Sequence, residues 1–194
     1  MKSRRKVFYK NTKSRPPNKL LVKYLPEINS NGLNALDLGS GAGRDTKYLL
    51  ENDFTVTAVD RNRDSEKFLE PLPRQENLNF VCTSFESFEY AKYDLINASY
   101  SLPFINPNDF NSTFKKIINS MNPGAIFIGQ LFGEDDEWNV HNSNLTFMSI
   151  EDVKKLLNNL EILQINETND LGPTGEGKTK HWHVYDIVFR KPLN

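Results

Sequence analysis

The chain has 194 residues, 38% hydrophobic and 25% charged, with a net charge of -1, which suits one soluble domain with a sizeable core and leaves too little for two. The balance excludes a low-complexity chain, no apolar run approaches the roughly 20 residues of a membrane span, and the basic start Met1-Lys2-Ser3-Arg4-Arg5-Lys6 lacks the apolar stretch of a secretory signal. Cys82 is the sole cysteine and has no internal disulfide partner, so these features together predict a cytoplasmic protein.

The first 30 residues read as a basic arm and helix. Nine Lys/Arg fall between Lys2 and Lys23 with no acid among them, leaving 15 basic against 25 acidic residues in the remainder. Such an arm either binds nucleic acid or lies against its own acidic body, and the second reading is favoured. A helix is predicted to open near Pro16-Pro17-Asn18 and to carry Leu20, Leu21, Tyr24, Leu25 and Ile28 inward. Short β-rich runs then alternate with amphipathic stretches. Strands are expected at 33–38, 54–59, 78–83, 93–98 and 125–132, with helices at 44–52, 65–69 and 107–121 between them. Asp64 or Ser65 is the expected cap of the short helix, and Asn122-Pro123-Gly124 ends the long one. Ser149 and Asp152 resemble a capping box. Segments 160–166 and 184–189 form a final strand pair, joined by a loop over 168–180.

The chemistry is concentrated in Asp37-Leu38-Gly39-Ser40-Gly41-Ala42-Gly43, where the first strand turns into a helix. Glycines there let the backbone approach a ligand closely. Asp60, at the end of the next strand, stands where an acid accepts both ribose hydroxyls. A dinucleotide site would require a further glycine where Arg44 stands. A carboxylate at Asp37 would repel pyrophosphate and attract an ammonium, since opposite charges a few Å apart interact by about 1–4 kcal/mol. The acids therefore favour S-adenosylmethionine (SAM), which carries an ammonium and a sulfonium but no phosphate.

With these residues in register, the chain from about Arg15 to Arg190 resembles class I SAM-dependent methyltransferases. The matching stretches are Ala35-Leu36-Asp37-Leu38-Gly39-Ser40-Gly41-Ala42-Gly43-Arg44-Asp45, Val56-Thr57-Ala58-Val59-Asp60 and Asn122-Pro123-Gly124-Ala125-Ile126-Phe127-Ile128. The Gly-Arg-Asp ending and compact size look like the small-molecule branch that includes tellurite-resistance-type methyltransferases. The resemblance implies a single Rossmann-like α/β domain over 1–194, a doubly wound seven-stranded sheet of order 3-2-1-4-5-7-6 with strand seven antiparallel. It implies that Asp37, Gly39, Ser40, Gly41 and Gly43 face the methionine part of SAM and that Asp60 faces the ribose, with Arg61 beside the adenine. Ser84 stands where an acid commonly meets the adenine, with Phe85 next to it, and Ala98 would lie nearest the sulfonium.

Ligands of open α/β sheets bind beyond the C-terminal strand ends. That rule selects 99–106, 130–138, the 168–180 loop and His181-Trp182-His183, with the basic arm as a lid. Tyr9, Tyr100, Trp138 and His181 are the candidate acceptor contacts, and Tyr100 and His181 the candidate catalytic groups. No metal site is expected, because His181 and His183 lack a third ligand. Trp182 reads as packing, Gly133 to Glu137 as a solvated loop in preference to a holder of a cationic substrate or a base, and Cys82 as a buried apolar residue. The expected function is methyl transfer from SAM, giving S-adenosylhomocysteine, to a small molecule. The alternatives are an RNA-modifying methyltransferase using the arm and a non-catalytic SAM sensor. The oligomeric state is not legible.

Overall fold

The structure, a computed structural model, describes residues 2–28, 33–140 and 143–193; Met1, Asn29 and Ser30 of the expected basic arm lie outside the described residues. The arm opens as a helix, α1 (Lys2–Thr12). Asn18 then caps α2 (Lys19–Tyr24), its side-chain oxygen accepting the Leu20 N–H at 2.8 Å. This is the helix expected near Pro16, and it runs on through a 3-10 turn at Leu25–Glu27.

Four parallel strands follow in the expected places: β1 (Asn34–Leu38), β2 (Thr55–Asp60), β3 (Leu78–Cys82) and β4 (Tyr93–Ala98). Helices α3 (Arg44–Glu51), α4 (Glu66–Leu69) and α5 (Pro107–Ser120) connect them and lead into β5 (Met121–Gly133). Ser65 stands at the N-cap of α4 as expected but makes no side-chain cap bond; the capping side chain is that of Asn62, which accepts the Asp64 N–H at the start of a 3-10 turn over Arg63–Ser65 that leads into the helix. Strand β5 begins at Met121 and passes through Asn122-Pro123-Gly124, where Gly124 takes a φ of 79°. The capping box forms: Ser149 Oγ accepts the Asp152 N–H at 3.2 Å and opens α6 (Ile150–Leu156).

The sheet order is β3-β2-β1-β4-β5-β8-β7, with β8 (Thr179–Arg190) antiparallel to both β5 and β7 (Glu161–Pro173). This is the expected order, β7 and β8 being its sixth and seventh strands. A short eighth strand not foreseen, β6 (Phe147–Met148), pairs with the end of β5. The 168–180 segment departs further from expectation. Most of it is strand, and the turn shrinks to 174–178, closed where the Thr174 N–H donates to the Lys178 carbonyl at 2.6 Å. Outer β7 is largely exposed, so its sequence lacks an apolar alternation, while antiparallel pairing with β8 satisfies its backbone.

Both faces of the sheet are covered, as parallel sheets require. Phe127 and Phe189 stack at 4.7 Å and pack with Phe114 of α5 on one face. Leu21, Leu49, Phe54 and Ile128 fill the other beneath α2 and α3. Every strand from β1 to β5 therefore ends at one edge, where the loops gather. Among the described residues no helix is long and apolar enough to cross a membrane.

Asn18 ties α2 to that edge, because its amide also donates to Ser99 Oγ at 2.8 Å. Asn18→Ala is expected to lower stability by about 1–2 kcal/mol through the lost cap, read as a shifted urea midpoint at unchanged slope.

Candidate active site

A cavity of about 920 Å³ opens at the C-terminal strand edge. Its floor is the turn between β1 and α3, where Gly39, Gly41 and Gly43 all take left-handed backbone with φ of 83°, 54° and 74°. The constraint is sharpest at Gly39, where a Cβ would come within 2.5 Å of the Ser101 Cβ. Ser101 is fixed in turn by its Oγ donating to the Leu38 carbonyl at 2.6 Å.

Two carboxylates shape this turn. Asp60 Oδ2 accepts the Gly41 N–H at 2.9 Å and Oδ1 the Asn62 N–H at 2.8 Å, so the end of β2 holds the loop in place. Asp37 lies below, only 1% exposed, accepting Thr46 Oγ1 at 2.5 Å and Asn97 Nδ2 at 2.8 Å. Burial, reinforced by neighbouring Asp45, pushes its carboxyl up to about 6. Asp45 is bound by Arg44 through Nε at 2.9 Å and Nη2 at 2.7 Å. Ser40 Oγ on the cavity wall is buried without a hydrogen-bond partner; among the described residues only Thr113 Oγ1 shares that state.

The far side of the cavity is aromatic. Tyr100 has a φ of 52° and is held by its N–H donating to Gln130 Oε1 at 3.0 Å, while Gln130 Nε2 donates to Asp186 at 2.9 Å. Burial, with Asp186 nearby, pushes the Tyr100 phenol up, against a smaller opposite pull from Arg44. Trp138 and Trp182 meet at 5.3 Å and Phe132 lies beside both. Between the rings sits the Lys180 ammonium, 4.1 Å from the Trp138 centroid and 4.0 Å from that of Trp182, its side chain only 2% exposed and paired with Asp136. Burial pulls this ammonium below its ordinary range, while Asp136 and Glu137 pull it back up.

Helix α1 contributes Phe8, Tyr9 and Thr12 to the cavity wall. Its Tyr9 hydroxyl lies 3.1 Å from Ser65 Oγ and accepts Asn62 Nδ2 at 2.9 Å, and Tyr9 and Phe8 line the cavity. Asn11 Nδ2 donates to the Gly175 carbonyl at 3.3 Å and Arg15 Nη2 to that of Thr174 at 3.4 Å, joining the N-terminal region to the tip of the β7–β8 hairpin.

The expected site residues divide by placement. Asp37, Gly39, Ser40, Gly41, Asp60, Arg61, Ser84 and Phe85 are on the cavity wall, with Tyr9, Tyr100 and Trp138. Gly43 and Ala98 are not: Gly43 packs against Leu69, and Ala98 is wholly buried in β4. His181 is also off the wall. Lys180, Trp182, Val184 and Asp186 line the cavity, so strand alternation turns His181 and His183 to the other face, where His183 Nε2 lies 2.8 Å from Glu167 and His181 contacts Asn169. Trp182, read as packing, is part of the wall, and Asp136, read as solvated, is buried under Lys180. Cys82 is half-buried on edge strand β3 rather than enclosed. The sequence reading missed Asn97, which bridges Asp37 and Asp45, and Glu86, which lines the wall. Asn97 had a signal: an amide between Ile96 and Ala98 in the buried part of a strand.

An open α/β sheet with a glycine turn and paired acids at its C-terminal edge defines a doubly wound protein of the nucleoside-binding kind. The family described as "Tellurite resistance protein TehB" matches residues 4–179, and the chain belongs to that family. It is similar to the "Probable S-adenosyl-L-methionine-dependent methyltransferase TehB" of Haemophilus influenzae, 31% identical over 137 residues, 68% of this chain and 47% of the relative. A "Carboxy-S-adenosyl-L-methionine synthase" of Campylobacter concisus is 30% identical over 117 residues, 57% of this chain and 47% of that one. The crystal structure of TehB from Haemophilus influenzae superposes with a TM-score of 0.79 at 21% identity, covering 95% of this chain and 65% of that one. The chain spans 41% to 47% of the length of the curated relatives it matches.

Tyr9→Ala removes the hydroxyl contacts and the ring packing on Phe68 that seat α1. Limited proteolysis should then cut within residues 2–15 at least tenfold faster, roughly the effect of losing 1.4 kcal/mol of local stability.

Proposed function

We propose that the chain binds SAM over the β1–α3 turn and transfers its methyl group to a small-molecule acceptor in the aromatic half of the cavity. The observation that carries this reading is the charge of the turn. Asp37 and Asp45 are buried together with one cation beside them, Arg44 on Asp45, leaving a negative site at the cavity wall where an ammonium is favoured. The donor set fits the remainder of the cofactor. Ser40 Oγ, buried without a partner, can donate to a carboxylate, and Asp60 retains acceptor capacity for ribose hydroxyls beside the N–H groups it already holds. Arg61, Ser84, Phe85 and Glu86 continue the wall beyond Asp60, where the adenine would lie. Gly43 and Ala98 act behind the wall, as packing. The name of the Haemophilus relative, a probable methyltransferase using SAM, supports the same reading.

Bound SAM supplies a methyl group on a sulfonium, already a good leaving arrangement. The work left to the chain is orientation and exclusion of water. Asp37 and Asp60 fix two ends of the cofactor on a rigid turn, and α1 with the hairpin tip closes the mouth. Tyr100, held by Gln130 with a phenol kept protonated, can hydrogen-bond an acceptor without itself becoming a competing nucleophile.

Calorimetry should detect S-adenosylhomocysteine, and Asp60→Asn should weaken it about tenfold or more through the charged hydrogen bonds lost; preferential NADH binding would overturn the assignment. Asp37 gives a pH signature. Its folded value of about 6 lies above the ordinary 3.8, so the folded chain holds this proton more tightly than the unfolded one. The group's contribution to stability therefore falls as pH rises from about 3.8 to about 6. Ligand binding runs the other way, since only the carboxylate attracts the ammonium, and SAM affinity should drop as pH falls through about 6. Asp37→Asn should abolish that step, weaken SAM roughly tenfold to a hundredfold, and leave the ligand-free protein at least as stable at pH 7.5. Transfer of radiolabelled methyl to thiols, amines, oxyanions and bulk RNA identifies the acceptor class; labelled RNA alone would refute a small-molecule acceptor.

A further inference from the structure

The acceptor half of the cavity has a composition that restricts what can enter it. Tyr100 and Trp182 meet at 5.9 Å, Trp182 and Trp138 at 5.3 Å, Trp138 and Phe104 at 6.3 Å, all with interplanar angles between 62° and 69°. This is a continuous edge-to-face aromatic wall, in which each ring fixes the next. Tyr100, Phe104 and Leu171 on the wall remain 46%, 40% and 70% exposed, an apolar surface that a flat apolar ligand would cover. Such a wall could in principle serve three kinds of acceptor: a cation, an anion or an uncharged ring.

A box of two indoles and a phenyl ring is a ready receptor for a cation. Here that position is filled by the chain itself. Lys180 Nζ lies within 4.1 Å of both indole centroids and within 5.3 Å of the Phe132 centroid. Its pair with Asp136 is locked from below, since Asp136 also accepts the Trp138 N–H at 3.0 Å and the His183 N–H at 3.2 Å. An incoming ammonium would have to displace an internal one. The buried ammonium is capped by its own carboxylate and rings and so offers an anion no free charge, while Glu137, Asp170 and Asp186 line the same cavity as Arg15, Arg44, Arg61 and Lys178.

We propose that the acceptor compartment takes an uncharged planar aromatic compound, and that Lys180 sets this specificity by occupying the cation position of the aromatic wall. The inference rests on the methyltransferase reading above for what the ligand does once bound, but the compartment's preference can be measured without turnover. Lys180 is here a specificity-setting residue that acts through the rings it holds.

The chain has only two tryptophans, and both are in this wall. The two indole N–H signals of the ¹⁵N-labelled full chain therefore report on the compartment directly. With S-adenosylhomocysteine saturating, the protein is titrated with quinoline, with N-methylquinolinium, which has the same shape but a fixed charge, and with sodium selenite. Quinoline should shift both signals saturably and bind at least tenfold more tightly than N-methylquinolinium. Lys180→Met combined with Asp136→Asn empties the cation position without leaving a buried unpaired charge, and should shrink that preference at least tenfold. Equal binding of the two ring compounds by the unaltered protein overturns the proposal, as does a response to selenite with none to quinoline. If the double variant does not fold, the unaltered protein's preference decides alone. Calorimetry of S-adenosylhomocysteine on the same sample separates the two readings: cofactor binding with silent indoles refutes only the aromatic acceptor, and no cofactor binding refutes the methyltransferase.

Discussion

The site depends on a carboxylate buried under a glycine turn. Asp37 leaves water almost completely and is held there by a hydroxyl from α3 and an amide from β4. Asp45, next to it, draws in Arg44 and the N–H of Asn18, at the cap of α2. A buried carboxylate without such donors would cost several kcal/mol, so β1, β4, α2 and α3 are constrained to meet at one point. The glycine turn gains its rigidity from this arrangement below and from Asp60 above. The same arrangement, two carboxylates with one guanidinium, stays one charge short of neutral.

Much of this was legible in the sequence. The strand-turn-helix around Asp37 and the acid at the end of β2 are local patterns, so spacing alone located them. The sheet order followed from the family resemblance and agrees with the observed order. The failures share a cause. Segment 168–180 read as a loop because its polar residues show no alternation, yet exposed outer strands need none when a partner satisfies the backbone. The face chosen by His181, and with it the role of Trp182, depends on a register set by pairing with β5. His181 is the chemically attractive residue there, and a one-residue step in the alternation turns it away from the cavity. Asp136 stands in charge-rich local sequence, yet its burial is set by Lys180, 44 residues onward. Site features held by contacts within the βαβ unit can be read from sequence, whereas those that depend on long-range pairing require the assembled sheet.

The clasp between the N-terminal region and the β7–β8 hairpin joins residues 164 and 159 apart in sequence. Contacts of that span close late in folding, because the chain between them must already be ordered before the entropy of bringing them together is recovered. The sheet and its glycine turn can therefore form first as an open vessel, with the clasp added as a separate step. It is also held by few bonds at its hairpin end, among the described residues, so it is the part that can open without global unfolding. The rate at which α1 lifts from the hairpin would then set an upper limit on how fast ligands exchange with the cavity. Residues far from any reacting atom, Asn11 and Arg15 among them, would govern that limit.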